Sequence, residues 1–339
     1  MTEIPVLDVR NVHVEFRRRR RAPVFRALDD VSLVIPRGKT VGLVGESGSG
    51  KSTLAKAVLG LVPVQSGSVH LLGREITHIG TAERRKLGRV LQAVFQDPNS
   101  SLNPSYTVAR SLAEPLRAQG TRSRAELAKR SAAMLEDVGL DPAAAARYPR
   151  DFSGGQRQRI SIARALMTAP QLVIADESVS ALDLSVQAQI LNLLADLQDQ
   201  HGLSYLFISH DISVVKHICH DVTVLYRGQV MESGPTGPVT DQPAHPYTRA
   251  LLLAAPVADP VAQRRRRATQ GALSSTTGTA ASNGCPFAAR CPFATDQCRQ
   301  VRPEPRPLAD GRVVACHRYP DWQHEAAAST PATSLVTSH

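Results

Sequence analysis

The run Gly45-Glu46-Ser47-Gly48-Ser49-Gly50-Lys51-Ser52 brings together residue types that can hold a chain of phosphates. Its glycines let consecutive backbone N–H groups curl around an anion, and a helix beginning at the end of the run adds its positive end. Lys51 is then placed for the β- and γ-phosphates and the Ser52 hydroxyl for Mg²⁺. Gly45, Ser47, Gly48, Ser49, Gly50, Lys51, Ser52 and Thr53 are the expected nucleotide-binding residues.

Two further constellations bear on the same chemistry. Leu172-Val173-Ile174-Ala175-Asp176-Glu177 ends an apolar run on two carboxylates, where α/β sheets gather ligand-binding groups. Asp176 suits Mg²⁺, held through water. Glu177 suits a general base on an attacking water, because phosphoryl transfer needs a positioned nucleophile more than covalent help. In Phe152-Ser153-Gly154-Gly155-Gln156, Ser153 can cap the helix that follows, Gln156 stands at the capping-box position, and the glycines expose N–H groups at the positive end of the dipole. A second anion site beside an existing phosphate loop implies a phosphate supplied by another copy.

The elements that must position these groups alternate. Short β-type runs fill Leu7 to Ile35, and Val41 to Val44 read as a strand leading into the glycine-rich loop and a helix. From about Gln96 to Thr168 the pattern is helical, with a capping box at Ser123-Arg124-Ala125-Glu126 ahead of Leu127, Leu135 and Val138 and a stop at Gly139. Strands return at Leu172 to Ile174 and Tyr205 to Ile208, around a helix with Val186, Ile190, Leu193, Leu194 and Leu197 on one face. Strands separated by helices predict a mainly parallel sheet covered on both faces.

A chain 42% hydrophobic and 21% charged is globular, and no run approaches the length of a membrane span or has a signal-peptide pattern, so a cytosolic location is expected. The net charge of +10 could suit nucleic acid or an anionic membrane. Its basic runs, Arg17 to Arg21 and Arg264 to Arg267, have few interleaved aromatics, which speaks against a base-stacking platform. Five cysteines in a reducing compartment are not structural disulfides. Four of them read Cys285-x5-Cys291-x6-Cys298-x17-Cys316, enough for a closed four-thiolate site. No close C-x₂₋₄-C pair is present, which favours a [4Fe-4S] cluster over zinc, with four reduced thiols as the remaining reading. Cys219 reads as a packed core thiol.

Ser153-Gly154-Gly155-Gln156 resembles the signature of ABC ATPases, and the other family motifs follow in order over roughly residues 7 to 240. The resemblance implies an α/β fold: a P-loop NTPase (RecA-like) cassette with an N-terminal antiparallel β subdomain, an inserted helical subdomain and a small Cys-rich extension. It implies ATP and Mg²⁺ as ligands, with Gln96 touching the metal and the attacking water, His210 contacting the γ-phosphate, Asp183 in the D-loop and Phe16 stacking on adenine, with Phe25 its rival. Two cassettes then pair head to tail, so that Ser153, Gly154, Gly155 and Gln156 complete the partner's site.

Gln96-Asp97-Pro98-Asn99-Ser100-Ser101-Leu102-Asn103-Pro104, Ser185-Val186-Gln187-Ala188-Gln189-Ile190-Leu191 and His245-Pro246-Tyr247-Thr248-Arg249-Ala250-Leu251 resemble the oligopeptide and dipeptide permeases and their nickel-transporting relatives, and the segments around Asp183 and His210 resemble the second ATPase of such systems. The family usually has Pro where this chain has Ser178, which loosens φ there. Cys285-Pro286-Phe287, Arg290-Cys291-Pro292 and Cys316-His317 resemble the family's C-terminal extension, where a [4Fe-4S] cluster is known in some members. The implied partners are a related second ATPase, two transmembrane permease subunits and an extracytoplasmic peptide-binding protein, with no nucleic acid, at the cytoplasmic face of the membrane. The competing readings are a soluble ABC ATPase acting on nucleic acid or ribosomes, an importer of nickel or another small solute, and a redox sensor. The expected domains are 1–95 (β subdomain and phosphate loop), 96–168 (helical subdomain), 169–240 (second part of the ATPase core), 241–256 (family segment), 257–284 (linker), 285–322 (Cys-rich module) and 323–339 (disordered tail).

Overall fold

The computed structural model describes residues 4–17, 24–96, 101–178, 183–255 and 283–328. The chain divides into two compact units, Met1–Gln229 and Val230–His339. The expected linker at 257–284 lies outside the described residues apart from its last two positions.

In chain order the first unit contains β1 (Leu7–Phe16), β2 (Phe25–Ile35), β3 (Thr40–Val44), α1 (Lys51–Leu59), β4 (Ser66–Leu71), β5 (Arg74–Glu75), α2 (Thr81–Leu87) and β6 (Leu91–Val94). Then follow α3 (Val108–Ala118), α4 (Arg124–Asp137), α5 (Gly154–Leu166), β7 (Leu172–Asp176), α6 (Leu184–His201), β8 (Ser204–Ser209), α7 (Ile212–Ile218) and β9 (Asp221–Tyr226). β2, β1, β4 and β5 form an antiparallel sheet in that order, with Leu7 paired to both Ile35 and Leu71. A parallel sheet runs in the order β9-β3-β8-β7-β6. Every residue of β3 and β8 is buried, as continuous apolar strands covered on both faces require.

The inserted segment between β6 and β7 is helical, as the apolar spacing predicts. Thr107 caps α3 by accepting from the Arg110 N–H at 3.3 Å, and Ser123 caps α4 by accepting from the Glu126 N–H at 3.3 Å. The capping box expected at Ser123 is half made, because the Glu126 carboxylate pairs with Arg130 at 2.8 Å instead of returning to the Ser123 N–H. No helix among the described residues is long and apolar enough to cross a membrane.

The second unit contains β10 (Gln229–Pro235), α8 (Thr236–Asp241), α9 (Pro246–Ala254), α10 (Asp296–Gln300), β11 (Arg306–Pro307), β12 (Val313–Val314) and α11 (Asp321–Ala328). Helix α11 runs six residues into the stretch the sequence assigns to a tail, because Trp322 anchors it: the indole is 2% exposed and its N–H donates to the Ala244 carbonyl at 2.8 Å. Ala244, Val314, Cys316, Trp322 and Ala326 share one small core. Through it runs a fully buried carboxylate, Glu232, which accepts from the Ala244 and His245 N–H groups at 2.8 and 2.9 Å and lies 3.3 Å from Arg312. Burial pushes Glu232 above the usual carboxylate range, while these donors and Arg312 pull it back. Removing one partner of a buried pair strands the other's charge. Arg312→Met is expected to destabilise this unit by about 3–5 kcal/mol, read as an earlier denaturation midpoint in the fluorescence of Trp322, the only tryptophan in the chain.

Candidate functional site

The site is built at the carboxyl ends of the parallel strands. Register sets it: Val44 of β3 pairs with Ser209 of β8, Ile208 of β8 with Asp176 of β7, and Ala175 of β7 with Val94 of β6. The next residues, Gly45, His210, Glu177 and, two positions on, Gln96, therefore leave the sheet along one edge, where ligands bind in open α/β sheets.

The phosphate loop follows β3 and ends at α1, as its pattern requires. A Cβ at Gly45 would stand 2.1 Å from the Leu225 carbonyl oxygen, so only glycine lets the loop pass this close to β9. Gly50, at φ 111, is the N-cap of α1, and a Cβ there would meet the Ala27 carbonyl at 2.7 Å. Ser49 is 3% exposed; its N–H donates to Glu46 and its carbonyl accepts from the Gly228 N–H at 2.7 Å. That brace, from a turn with Arg227 and Gly228 both at positive φ, went unread in the sequence. An Arg-Gly pair between two apolar runs signals the turn, though not the loop it braces.

Lys51 is 5% exposed and its ammonium donates to the Gly45 and Glu46 carbonyls at 2.8 and 2.9 Å. Burial pushes it below the usual lysine value, opposed by Glu177, Asp176 and Glu46. The Ser52 hydroxyl donates to Asp176 at 3.5 Å, and burial together with the neighbouring Glu177 holds Asp176 above the usual carboxylate range. Glu177 sits at φ 47, a left-handed conformation rare for a side chain of this size, with its N–H on the Ile208 carbonyl at 3.0 Å. Its carboxylate lies 3.6 Å from His210 Nδ1. Lys51, Ser52, Asp176, Glu177 and His210 are thus brought together. Ser178 is 2% exposed, and its hydroxyl has no hydrogen-bond partner among the described residues.

Other expected residues sit apart. Phe16 and Phe25 pair directly across β1 and β2, so the two rivals for one role share a face, 38% and 59% exposed. Ser153 caps α5 with a complete box: it accepts from the Gln156 N–H at 3.3 Å, and the Gln156 side chain accepts from the Ser153 N–H at 3.0 Å. Gly155 must lack a side chain, since a Cβ would lie 2.6 Å from Val186. No hydrogen bond or ion pair joins this helix start to the phosphate loop among the described residues. Asp183 caps α6 by accepting from the Val186 N–H at 2.9 Å, while residues 179–182 and 97–100 lie outside the described residues.

The four C-terminal cysteines are free thiols, with the Cys285 N–H on the Cys298 carbonyl at 2.8 Å. Burial pushes the Cys285 and Cys291 thiols up to about 12, and the charges of Cys298 and Cys316 act on both. Among the described residues no group of three or more His, Cys, Asp or Glu side chains is placed to hold a metal ion. The thiols are neighbours but are not arranged as a ligand group.

A phosphate loop, a carboxylate pair and a histidine on one parallel-sheet edge, with a capped Gly-Gly helix in an inserted subdomain, define a cassette-type P-loop nucleoside triphosphatase. The family described as ABC transporter matches residues 28–180, and the one described as oligopeptide/dipeptide transporter, C-terminal region, matches residues 231–298. A Brucella abortus protein named for peptide import ATP binding is 49% identical over 299 residues, 87% of each chain. A Sinorhizobium fredii protein named as a peptide ABC transporter ATP-binding protein is 48% identical, over 87% of this chain and 83% of its own. Among solved structures, cbiO1 of Clostridium perfringens, part of an ABC transporter complex, matches with a TM-score of 0.64 at 26% identity, over 71% of this chain and 92% of its own. An ATP-binding cassette solved as a post-hydrolysis dimer with ADP and Pi matches with a TM-score of 0.61 at 30% identity, over 68% and 98%. The chain belongs to the ABC transporter family. Gly45→Ala is expected to weaken ATP binding at least about tenfold, the equivalent of 1.4 kcal/mol, in titrations with a fluorescent ATP analogue; unchanged affinity would remove the close-approach argument.

Proposed function

We propose that this chain binds and hydrolyses ATP to power import of oligopeptides or dipeptides through a membrane permease. The observation that carries the catalytic reading is the convergence of Lys51, Ser52, Asp176, Glu177 and His210 on one sheet edge. Lys51 binds the β- and γ-phosphates, exchanging its bonds to the loop carbonyls for phosphate oxygens. His210 contacts the γ-phosphate. Glu177 orients the attacking water and accepts its proton, with Gln96 beside it. Ser52, Asp176 and Gln96 offer the all-oxygen donor set that Mg²⁺ favours, and the ion neutralises phosphate charge when bound. Phe16 stacks on adenine, with Phe25 at its side.

Ser153, Gly154, Gly155 and Gln156 serve a second subunit, a related but different cassette. The names of the Brucella and Sinorhizobium relatives and the C-terminal family match support peptides as cargo. An open groove of about 610 Å³, bordered by Leu61, Arg84, Leu87, Phe95 and Arg164, supports a membrane subunit as partner, since Leu61 and Phe95 are exposed in it beside Gln96. Two permease subunits and an extracytoplasmic binding protein complete the assembly, with this chain peripheral at the cytoplasmic face.

The test is Glu177→Gln. Turnover in the reconstituted transporter is expected to fall at least about a hundredfold, with ATP affinity retained and the cassette dimer trapped on ATP in size-exclusion chromatography. Hydrolysis at the wild-type rate would refute the base assignment.

We also infer that Cys285, Cys291, Cys298 and Cys316 take up a [4Fe-4S] cluster. The mutual electrostatic influence of the four thiols supports this, and four Cys thiolates are the usual ligand set of such a cluster. Protein purified without oxygen is expected to contain iron and sulfide, both lost when the cysteines are changed to serine. Elemental analysis finding neither iron nor zinc, with all four thiols open to alkylation, rules the site out.

A further inference from the structure

Along α3, Arg110, Ala113 and Arg117 stand at i, i+3 and i+7; along α4, Arg124, Leu127 and Ser131 repeat that spacing. The two stripes line one open groove of about 450 Å³. Ala113, Leu127 and Ser131 are buried in its floor, and the three guanidinium groups are exposed at its rim. Elsewhere in the subdomain arginines are engaged: Arg130 pairs with Glu126 at 2.8 Å, Arg164 with Glu114 at 3.1 Å, and Arg157 and Arg159 donate to the Phe152 and Val138 carbonyls. Arg110 lies over the Tyr106 ring, and none of Arg110, Arg117 and Arg124 has a carboxylate partner among the described residues. Each of the three could have been neutralised by one acidic neighbour.

We propose that this groove docks an acidic amphipathic helix of a partner protein. Two adjacent helices whose buried Ala113, Leu127 and Ser131 lie between exposed arginines form a seam into which a third helix packs. Arg110 and Arg117 are separated by about 10 Å along α3. The short connection into α4 returns Arg124 to the Arg117 end. Cations at both ends of an apolar floor match carboxylates seven residues apart on a helix with an apolar face between them. Cations that rim a concave groove with a buried floor fit an inserted helix better than the flat array of headgroups at a lipid surface. The groove belongs to the subdomain that carries Ser153, and α3 and α4 both pack on α5, so an occupant would hold the helix whose start bears the signature.

The test uses the full-length protein and, as probe, a labelled synthetic helix with Glu at i and i+7 flanking a Leu/Ala face, followed by fluorescence anisotropy. Saturable binding is expected, weakened by salt and weakened at least about tenfold in the triple variant Arg110→Gln, Arg117→Gln, Arg124→Gln. A probe with Lys in place of Glu is expected not to bind. Unchanged ATP binding by the triple variant shows that it is folded. Equal affinity in the triple variant, or no saturable binding of the Glu probe, overturns the proposal. So does arginine-dependent flotation with anionic phospholipid vesicles while the Glu probe stays unbound, which assigns the three arginines to a lipid surface.

Discussion

Parallel strands held in one register end together, and everything at the nucleotide site depends on that. β3, β8, β7 and β6 come from four separated stretches of chain, yet Val44, Ser209, Asp176 and Val94 reach the same edge because each pairs with its neighbour without a slip. A one-residue slip would turn every side chain of a strand to the opposite face. Close packing on both faces penalises such a slip, because each side chain would meet neighbours of the wrong size, so the continuous apolar strands that look least informative chemically are what fix the distances between Lys51, Asp176, Glu177 and His210.

The charges gathered there explain why the loop must be glycine-rich as well as phosphate-shaped. Lys51 is an ammonium with almost no solvent, and its bonds to the Gly45 and Glu46 carbonyls replace water at little cost in geometry. Facing it are two consecutive carboxylates, one pushed toward its neutral form by burial and by the other. An ammonium held only by its own loop can exchange those carbonyls for phosphate oxygens, and adjacent carboxylates suit a divalent cation carried in with the triphosphate. The left-handed Glu177 directs its carboxylate toward His210 rather than along the strand. Backbone strain at this position belongs with the chemistry.

Most of the nucleotide site was legible because its motifs are local: a loop, a strand end and a helix cap each need only a few consecutive residues. The parallel sheet, the inserted helices and the Ser153 box followed from periodicity and capping for the same reason. What escaped was set by long-range contact. The brace from Gly228 onto Ser49 joins residues far apart in sequence, and nothing in a Tyr-Arg-Gly-Gln run announces it. Glu232 and Arg312 stand 80 residues apart, and only the fold, through β12 and the start of α9, encloses them together. Trp322 looked like the last ordered residue and is instead the anchor of a helix. The Arg run between them leaves Phe16 and Phe25 as rivals in sequence, and in the structure they are cross-strand partners.

The start of α5 is a helix end that forms without a ligand. At the start of α5 the Gln156 N–H is taken by the Ser153 hydroxyl and the Arg157 N–H by the Ser153 carbonyl, which leaves Gly154 and Gly155 as the outward donors of the first turn. Neither donor needs a ligand for the helix to form, because the capping box is complete by itself. Two glycine N–H groups at the positive end of a thirteen-residue helix are nonetheless an anion-binding arrangement. Among the described residues no bond from them to the phosphate loop is seen, although the subdomain that bears them is inserted between β6 and β7. A helix cap finished without its anion, and a phosphate loop whose lysine is satisfied by its own carbonyls, are two stable halves. On the proposed reading, each gains when a triphosphate on one subunit meets the helix start of a partner cassette, and the energy of ATP binding then favours the pair.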